Sequence, residues 1–171
     1  MKVYGSLNNR IDEGKQYCQV IEVGTGMTEY LWSDRHAYEV VKVESQEHVW
    51  VRRYDARTTE CYSNHWILTS NPENPVIEIV KRNNGWNKLY IYNKDEMMKV
   101  ATERVDNNKS VANNSLSREE RINVEYRFML LHAGLTENQR ERLEMGKSIK
   151  KYEKWNNISF GVADEHYDYE F

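Results

Sequence analysis

The run His48–Tyr54, HVWVRRY, follows an alternating run, Tyr38–Glu44 (YEVVKVE), after only Ser45, Gln46 and Glu47. Two β-branched runs of period two joined by so short a polar link fold as an antiparallel hairpin, because successive strand side chains point to opposite faces. Val49, Val51 and Arg53 then share one face of the second arm, and Trp50, Arg52 and Tyr54 the other. On the first arm the alternation groups Tyr38, Val40 and the Lys42 stem against Glu39, Val41 and Val43. The Trp50–Arg52–Tyr54 face interleaves rings with a guanidinium. That pattern suits single-stranded nucleic acid, a protein interface, whose preferred anchors are Trp, Tyr and Arg, or plain cross-strand packing.

More strands flank this hairpin. Residues 1–16 read as an irregular lead-in, and Tyr17–Val23 as a strand. Gly24-Thr25-Gly26 breaks the chain as a plain turn, since a phosphate cradle needs a Lys-Ser/Thr that does not follow. Asp55–Asn64 reads as a polar loop and His65–Leu68 as a short apolar segment. Asn71–Pro75 holds both prolines and forms a connector. Val76–Lys81 and Trp86–Tyr92 flank Asn83-Asn84-Gly85, whose residue types tolerate positive φ, and make a second hairpin. Short strands in this number predict a small antiparallel SH3-like or OB-like β-barrel over residues 1–92.

The chain then changes character. Residues 93–115 are polar and rich in Asn, a weak helix at most followed by a linker. Ser117-Arg118-Glu119-Glu120 and Thr136-Glu137-Asn138-Gln139 both fit the capping box that opens a helix. Ile122, Tyr126, Met129, Leu130 and Ala133 recur at helical spacing, and Gly134 fits a left-handed C-cap. A third helix is expected over Ser148–Trp155, with Ile149, Tyr152 and Trp155 on one side. The overall class is α+β, with 116–171 as a helical hairpin and an acidic-aromatic tail. A helix-turn-helix reader would present Asn138, Gln139, Arg140 and Arg142 to bases, but Glu137, Glu141 and Glu144 on the same helix oppose phosphate contact.

Twelve Tyr and five Trp among 171 residues predict a thin core with polar-tipped rings at the surface. A net charge of -3 is mild and does not point to a generic polyanion binder. No apolar run reaches the length of a membrane span, and the two cysteines, Cys18 and Cys61, read as reduced thiols of a cytoplasmic protein. The five histidines form no metal-ligand spacing, so neither metal nor cofactor is expected. Asp34 and His36 would orient a base, but no nucleophile motif accompanies them, and the chain reads as a non-enzyme.

Met27–Val41 (MTEYLWSDRHAYEVV) and Ser159–Phe171 (SFGVADEHYDYEF), with Leu7–Arg10, resemble a group of small proteins from phages and mobile elements of Gram-positive bacteria. Ala37 stands where that group carries proline. The resemblance supplies no catalytic residues. It implies an accessory role, such as counter-defence by an anti-CRISPR-like inhibitor of a Cas9-type nuclease. The expected partner-binding residues are Trp32, Arg35, Trp50, Arg52 and Tyr54, with Asp164, Glu165, Tyr167, Asp168 and Tyr169 of the tail. The tail reads as a free acidic end, as acids that imitate phosphates while rings stack, or as a segment swapped onto another protomer. Direct nucleic-acid binding through Trp50, Arg52, Arg53 and Tyr54 of the aromatic-arginine strand is the alternative.

Overall fold

The computed structural model describes residues 20–58, 65–83, 85–112 and 115–167. The chain is α+β. Its strands are β1 (Gly26–Tyr30), β2 (Arg35–Ser45), β3 (His48–Arg53), β4 (Asp55–Thr58), β5 (Trp66–Thr69), β6 (Val76–Arg82) and β7 (Gly85–Tyr92). Among the described residues three helices follow, α1 (Lys94–Asp106), α2 (Arg118–His132) and α3 (Glu137–Glu144), then β8 (Ile149–Lys154) and β9 (Ile158–Gly161). Seven strands form one sheet in the order β8-β7-β6-β3-β2-β1-β9, while β4 and β5 make a separate two-stranded ribbon. Contacts divide the chain into two compact units, residues 1–89 with 152–171, and residues 90–151.

The expected barrel is corrected to an open sheet. Barrel closure would require the first and last strands of the N-terminal run to pair with each other. Instead β9 lies beside β1 and β8 beside β7. Strands from the C-terminal half thus cover the two edges that a barrel would have joined, which answers the same edge problem in another way.

The β2–β3 hairpin forms as expected, with Val40 opposite Val51 and Val43 opposite Val49. Its side-chain assignment changes at a bulge. The register jumps between Val40 and Lys42, leaving Val41 as the extra residue. An extra residue reverses the alternation beyond it. Lys42 therefore sits opposite Trp50, while Val43 packs on the core. That core gathers Met27, Tyr38, Val40, Val49, Val51, Ile79, Trp155, Ile158 and Phe160. The β6–β7 hairpin also forms, with Arg82 opposite Gly85 and Gly85 at φ 106°.

Other expectations shift. The strand expected at Tyr17–Val23 is absent from Val20–Val23, and its first three residues lie outside the described residues. The strand comes instead at Gly26–Tyr30, where Met27, Thr28 and Tyr30 are all buried, so both faces of β1 are covered. Asp55–Thr58, read as loop, pairs with Trp66–Thr69. Cys18 and Cys61 lie outside the described residues.

The second unit follows its caps. Ser117 with Glu120 and Thr136 with Gln139 form reciprocal capping boxes, and Asn93 accepts from the Asp95 and Glu96 amides to open α1 within the expected linker. Met97, Ala101 and Val105 of α1 pack with Ile122, Tyr126, Leu130, Leu135 and Leu143. Glu125 is a buried acid within the α2 face. Its carboxylate accepts from Arg104 Nη1 (2.8 Å), Ser110 Oγ (2.9 Å) and the Val111 amide (2.9 Å). The third helix expected at Ser148–Trp155 is corrected to strand β8. Gly146 takes φ 80° just after α3, and beyond it the residues alternate Ile149, Lys151, Glu153 against Lys150, Tyr152, Lys154.

Candidate functional site

Strands β1 and β2 meet at a four-residue turn, Leu31–Asp34, closed by the Leu31 amide donating to the Asp34 carbonyl at 2.8 Å. Trp32 sits on it with 96% of its surface exposed. A large indole left so open contrasts with the usual high average burial of Trp. The two residues flanking the turn are each held twice. The Tyr30 amide donates to the Asn157 carbonyl at 2.7 Å, and the Asn157 side chain donates back to the Tyr30 carbonyl. The Arg35 amide donates to the His166 carbonyl at 2.9 Å, and the His166 amide to the Arg35 carbonyl at 3.0 Å.

The segment after β9 makes that second grip possible. Gly161, at φ 123°, turns the chain back over the sheet. Residues Val162–Asp164 then cross β1, where Thr28 Oγ1 donates to the Val162 carbonyl (2.7 Å) and accepts from the Asp164 amide (3.0 Å). The crossing passes directly over Gly26. A Cβ there would lie 2.9 Å from the Val162 carbonyl carbon and nearer still to Ala163 N, so only glycine leaves room. Beyond it, Asp164 pairs with Arg35. Glu165, whose side chain is 0% exposed, accepts from the Ala37 amide (2.7 Å) and from Arg53 Nη2 (3.0 Å). Arg53 Nη2 also donates to the Tyr167 hydroxyl at 2.8 Å, and the Tyr167 ring lies 5.1 Å from that of Trp66. Burial alone would lower the Arg53 pKa; the charges of Glu165 and Tyr167 and their hydrogen bonds more than offset it, and the pKa is raised.

The structure thus pairs Arg35 with Asp164 from the predicted set, and links Glu165 and Tyr167 through Arg53. Asp168 and Tyr169 lie outside the described residues. Ala37 acquires a role at the same place. Its amide is one of the partners of the buried Glu165 carboxylate, and a proline would remove that donor. Gly26 was not among the sequence-predicted residues, and Arg53 was expected only as a nucleic-acid contact, not as the partner of Glu165. The sequence offered one cue for Gly26, its place in Gly24-Thr25-Gly26.

The hairpin face brings Trp50 and Arg52 together but uses both internally. Lys42 Nζ lies 3.8 Å from the Trp50 ring centroid, and the His48 ring stacks on Trp50 at 4.4 Å. His48 in turn sits between Glu44 (2.6 Å) and Glu78 (2.7 Å). Arg52 gives Nε and Nη2 to Glu39 at 3.0 and 2.8 Å, and Ser70 bonds both partners. Three carboxylates therefore stand among the cations of this face, which opposes a phosphate backbone. Tyr54 follows β3 and lines a cleft of about 430 Å³ with Arg53, Asp55, Asn74, Pro75 and Tyr167. A smaller cleft of about 230 Å³ lies by His65, Trp66, Leu68 and Ala163–Glu165.

Neither cleft is lined by Asp34 or His36. His36 Nδ1 faces Glu29 at 3.5 Å. Glu29 is the centre of a half-buried polar group, accepting from Trp155 Nε1 (2.6 Å) and from the Tyr38 hydroxyl (3.0 Å). Burial, then the Glu29 charge and its hydrogen bond, pushes the Tyr38 pKa well above the usual tyrosine value. A raised folded pKa contributes stability that is fully present below the unfolded value of about 10 and is lost as pH rises through the folded one. The unfolding midpoint is therefore expected to fall above about pH 10, and Tyr38→Phe to flatten that fall, measured by denaturant titration at a series of alkaline pH values. An equal fall in the variant would remove Tyr38 from the account.

In the second unit, α3 keeps few of its predicted base readers free. Arg140 Nε donates to the Leu135 carbonyl, while Glu144 takes Lys94 and the Tyr126 hydroxyl, each at 2.7 Å. Glu137, Asn138, Glu141 and Arg142 are exposed, a mixed face. Among the described residues no group of three or more His, Cys, Asp or Glu is placed to hold a metal ion, and no helix is long and apolar enough to cross a membrane. No protein-family model, curated protein or solved structure matches the chain.

Proposed function

We propose that this chain is a non-enzymatic binding protein of a phage or mobile element. It acts in the bacterial cytoplasm by occupying the surface of a host protein, in the manner of an anti-CRISPR inhibitor of a Cas9-type nuclease. The observation that carries this reading is Trp32, 96% exposed on a turn gripped at both stems. Protein interfaces draw most of their energy from a few Trp, Tyr and Arg anchors, and a held anchor loses little entropy on binding. The setting comes from the resemblance of Met27–Val41 and Ser159–Phe171. Those two stretches meet at the Trp32 turn, through the β1–β9 pairing and the Arg35–His166 bridge. The pairing of Arg52 with Glu39, and of His48 with two glutamates, favours a protein partner over nucleic acid.

The test is capture of a purified Cas9-type nuclease by the immobilised protein, with and without prior nuclease digestion of nucleic acid. Retention in both samples supports the reading. Failure to retain the nuclease removes the Cas9-type partner, and a low-salt gel shift with single-stranded DNA or RNA would move the function to nucleic acid.

A further inference from the structure

The Leu31–Asp34 turn is gripped at both stems by one stretch of chain, through Asn157 on Tyr30 and His166 on Arg35. The grip at Arg35 occupies a place that β3 has left. Strand β3 ends at Arg53 opposite Tyr38, the Tyr54 amide takes the Ala37 carbonyl at 3.0 Å, and His166 then bridges to Arg35. Ion pairs of the two residues just before His166 reinforce the bridge, Asp164 with Arg35 and Glu165 with Arg53. A turn fixed only by its own Leu31–Asp34 bond would open readily, since local stability follows the bonds that must break together.

We propose that residues 157–167 are a clamp that holds the Trp32 turn in shape, so that Asp164 and Glu165 serve recognition as positioning residues. This inference rests on the reading of Trp32 as the anchor. It also reassigns the acidic segment: within the described residues its carboxylates spend their charge on Arg35 and Arg53 of the same unit. The host surface reads the turn, and the acids set how firmly the turn is presented.

Hydrogen exchange on the free full-length protein tests the clamp without any partner. Asp164→Asn, Arg35→Gln and the double variant are each expected to raise exchange of the Leu31 amide by about tenfold. The double variant should be no faster than either single, because both remove one pair. The Val51 amide, at the centre of the sheet, should stay within about twofold in all three. His166→Pro, which deletes the donor to the Arg35 carbonyl, should do the same by a different route. Ile79→Val, a core change far from the tail in sequence, serves as the control for general loosening and should not separate Leu31 from Val51. Leu31 exchange unchanged in Asp164→Asn, or Leu31 and Val51 rising together, would overturn the clamp. Because no partner enters this measurement, its failure is distinct from failure of the binding reading.

Discussion

Arg53→Met is expected to lower the unfolding free energy of the sheet unit by about 3 kcal/mol. The reason is the asymmetry of the pair. Glu165 has a side chain with no exposure, whereas Arg53 is 39% exposed. Deleting the arginine leaves a buried carboxylate with the Ala37 amide and the Tyr167 hydroxyl as neutral partners and no compensating charge. Deleting the acid instead, as Glu165→Gln, leaves a guanidinium that water already reaches. That variant should cost about 1 kcal/mol, the ordinary value of a charge-assisted bond exchanged for a neutral one. Urea unfolding followed by tryptophan fluorescence reads both. A near-equal cost for the two variants would mean that Glu165 is hydrated in solution and that the strap is looser than its bonds suggest.

Glu125→Ala is expected to cost the helical unit about 3 kcal/mol. Glu125 is 0% exposed and is the shared acceptor for Arg104, Ser110 and the Val111 amide. It ties the segment after α1 to the middle of α2. The alanine variant loses three bonds, leaves a buried space, and strips the Val111 amide of its acceptor. Val124→Ala, one position earlier and 39% exposed, should change stability by less than about 0.5 kcal/mol. Amide exchange at Val111 should accelerate in Glu125→Ala and remain unaltered in Val124→Ala. A small cost for Glu125→Ala, with Val111 still protected, would show that the segment is held by something other than this carboxylate.

What could be read from the sequence was local. The β2–β3 and β6–β7 hairpins follow from alternation and turn residues, and the Ser117 and Thr136 capping boxes from four-residue patterns. What failed required knowledge of distant partners. Arg35 meets Asp164 across 129 positions and Arg53 meets Glu165 across 112, so neither pair leaves a trace in local spacing. Strand β1 was hidden because the sheet core takes Met27 on one face while residues 162–164 cross Thr28 on the other, so both faces are buried and alternation is erased. Ile149, Tyr152 and Trp155 stand three apart, as on a helix, yet β8 ends at Lys154 and Trp155 packs in the sheet core. The bulge at Val41 did leave a trace, the adjacent Val40-Val41 pair that shifts the phase of Tyr38–Glu44, but a strict period-two reading passed over it. Trp32 was legible as a candidate by residue type; its exposure and the grip on its turn were not.

The central claim is that the exposed Trp32 indole, and not the strand face or the acidic segment, is the anchor for a host protein. The most direct measurement compares wild type with Trp32→Ala for binding to a captured partner, the Cas9-type nuclease being the first to try. With 96% of its surface already in water, Trp32 contributes little to folding, so the variant should unfold at the wild-type midpoint. Its affinity should fall by about 2 to 4 kcal/mol, the range of a buried aromatic hot spot. Arg52→Gln, whose partner is Glu39 within the chain, should leave affinity near wild type. Unchanged binding by Trp32→Ala at equal stability, with loss in Arg52→Gln, would contradict the account and return recognition to the hairpin face.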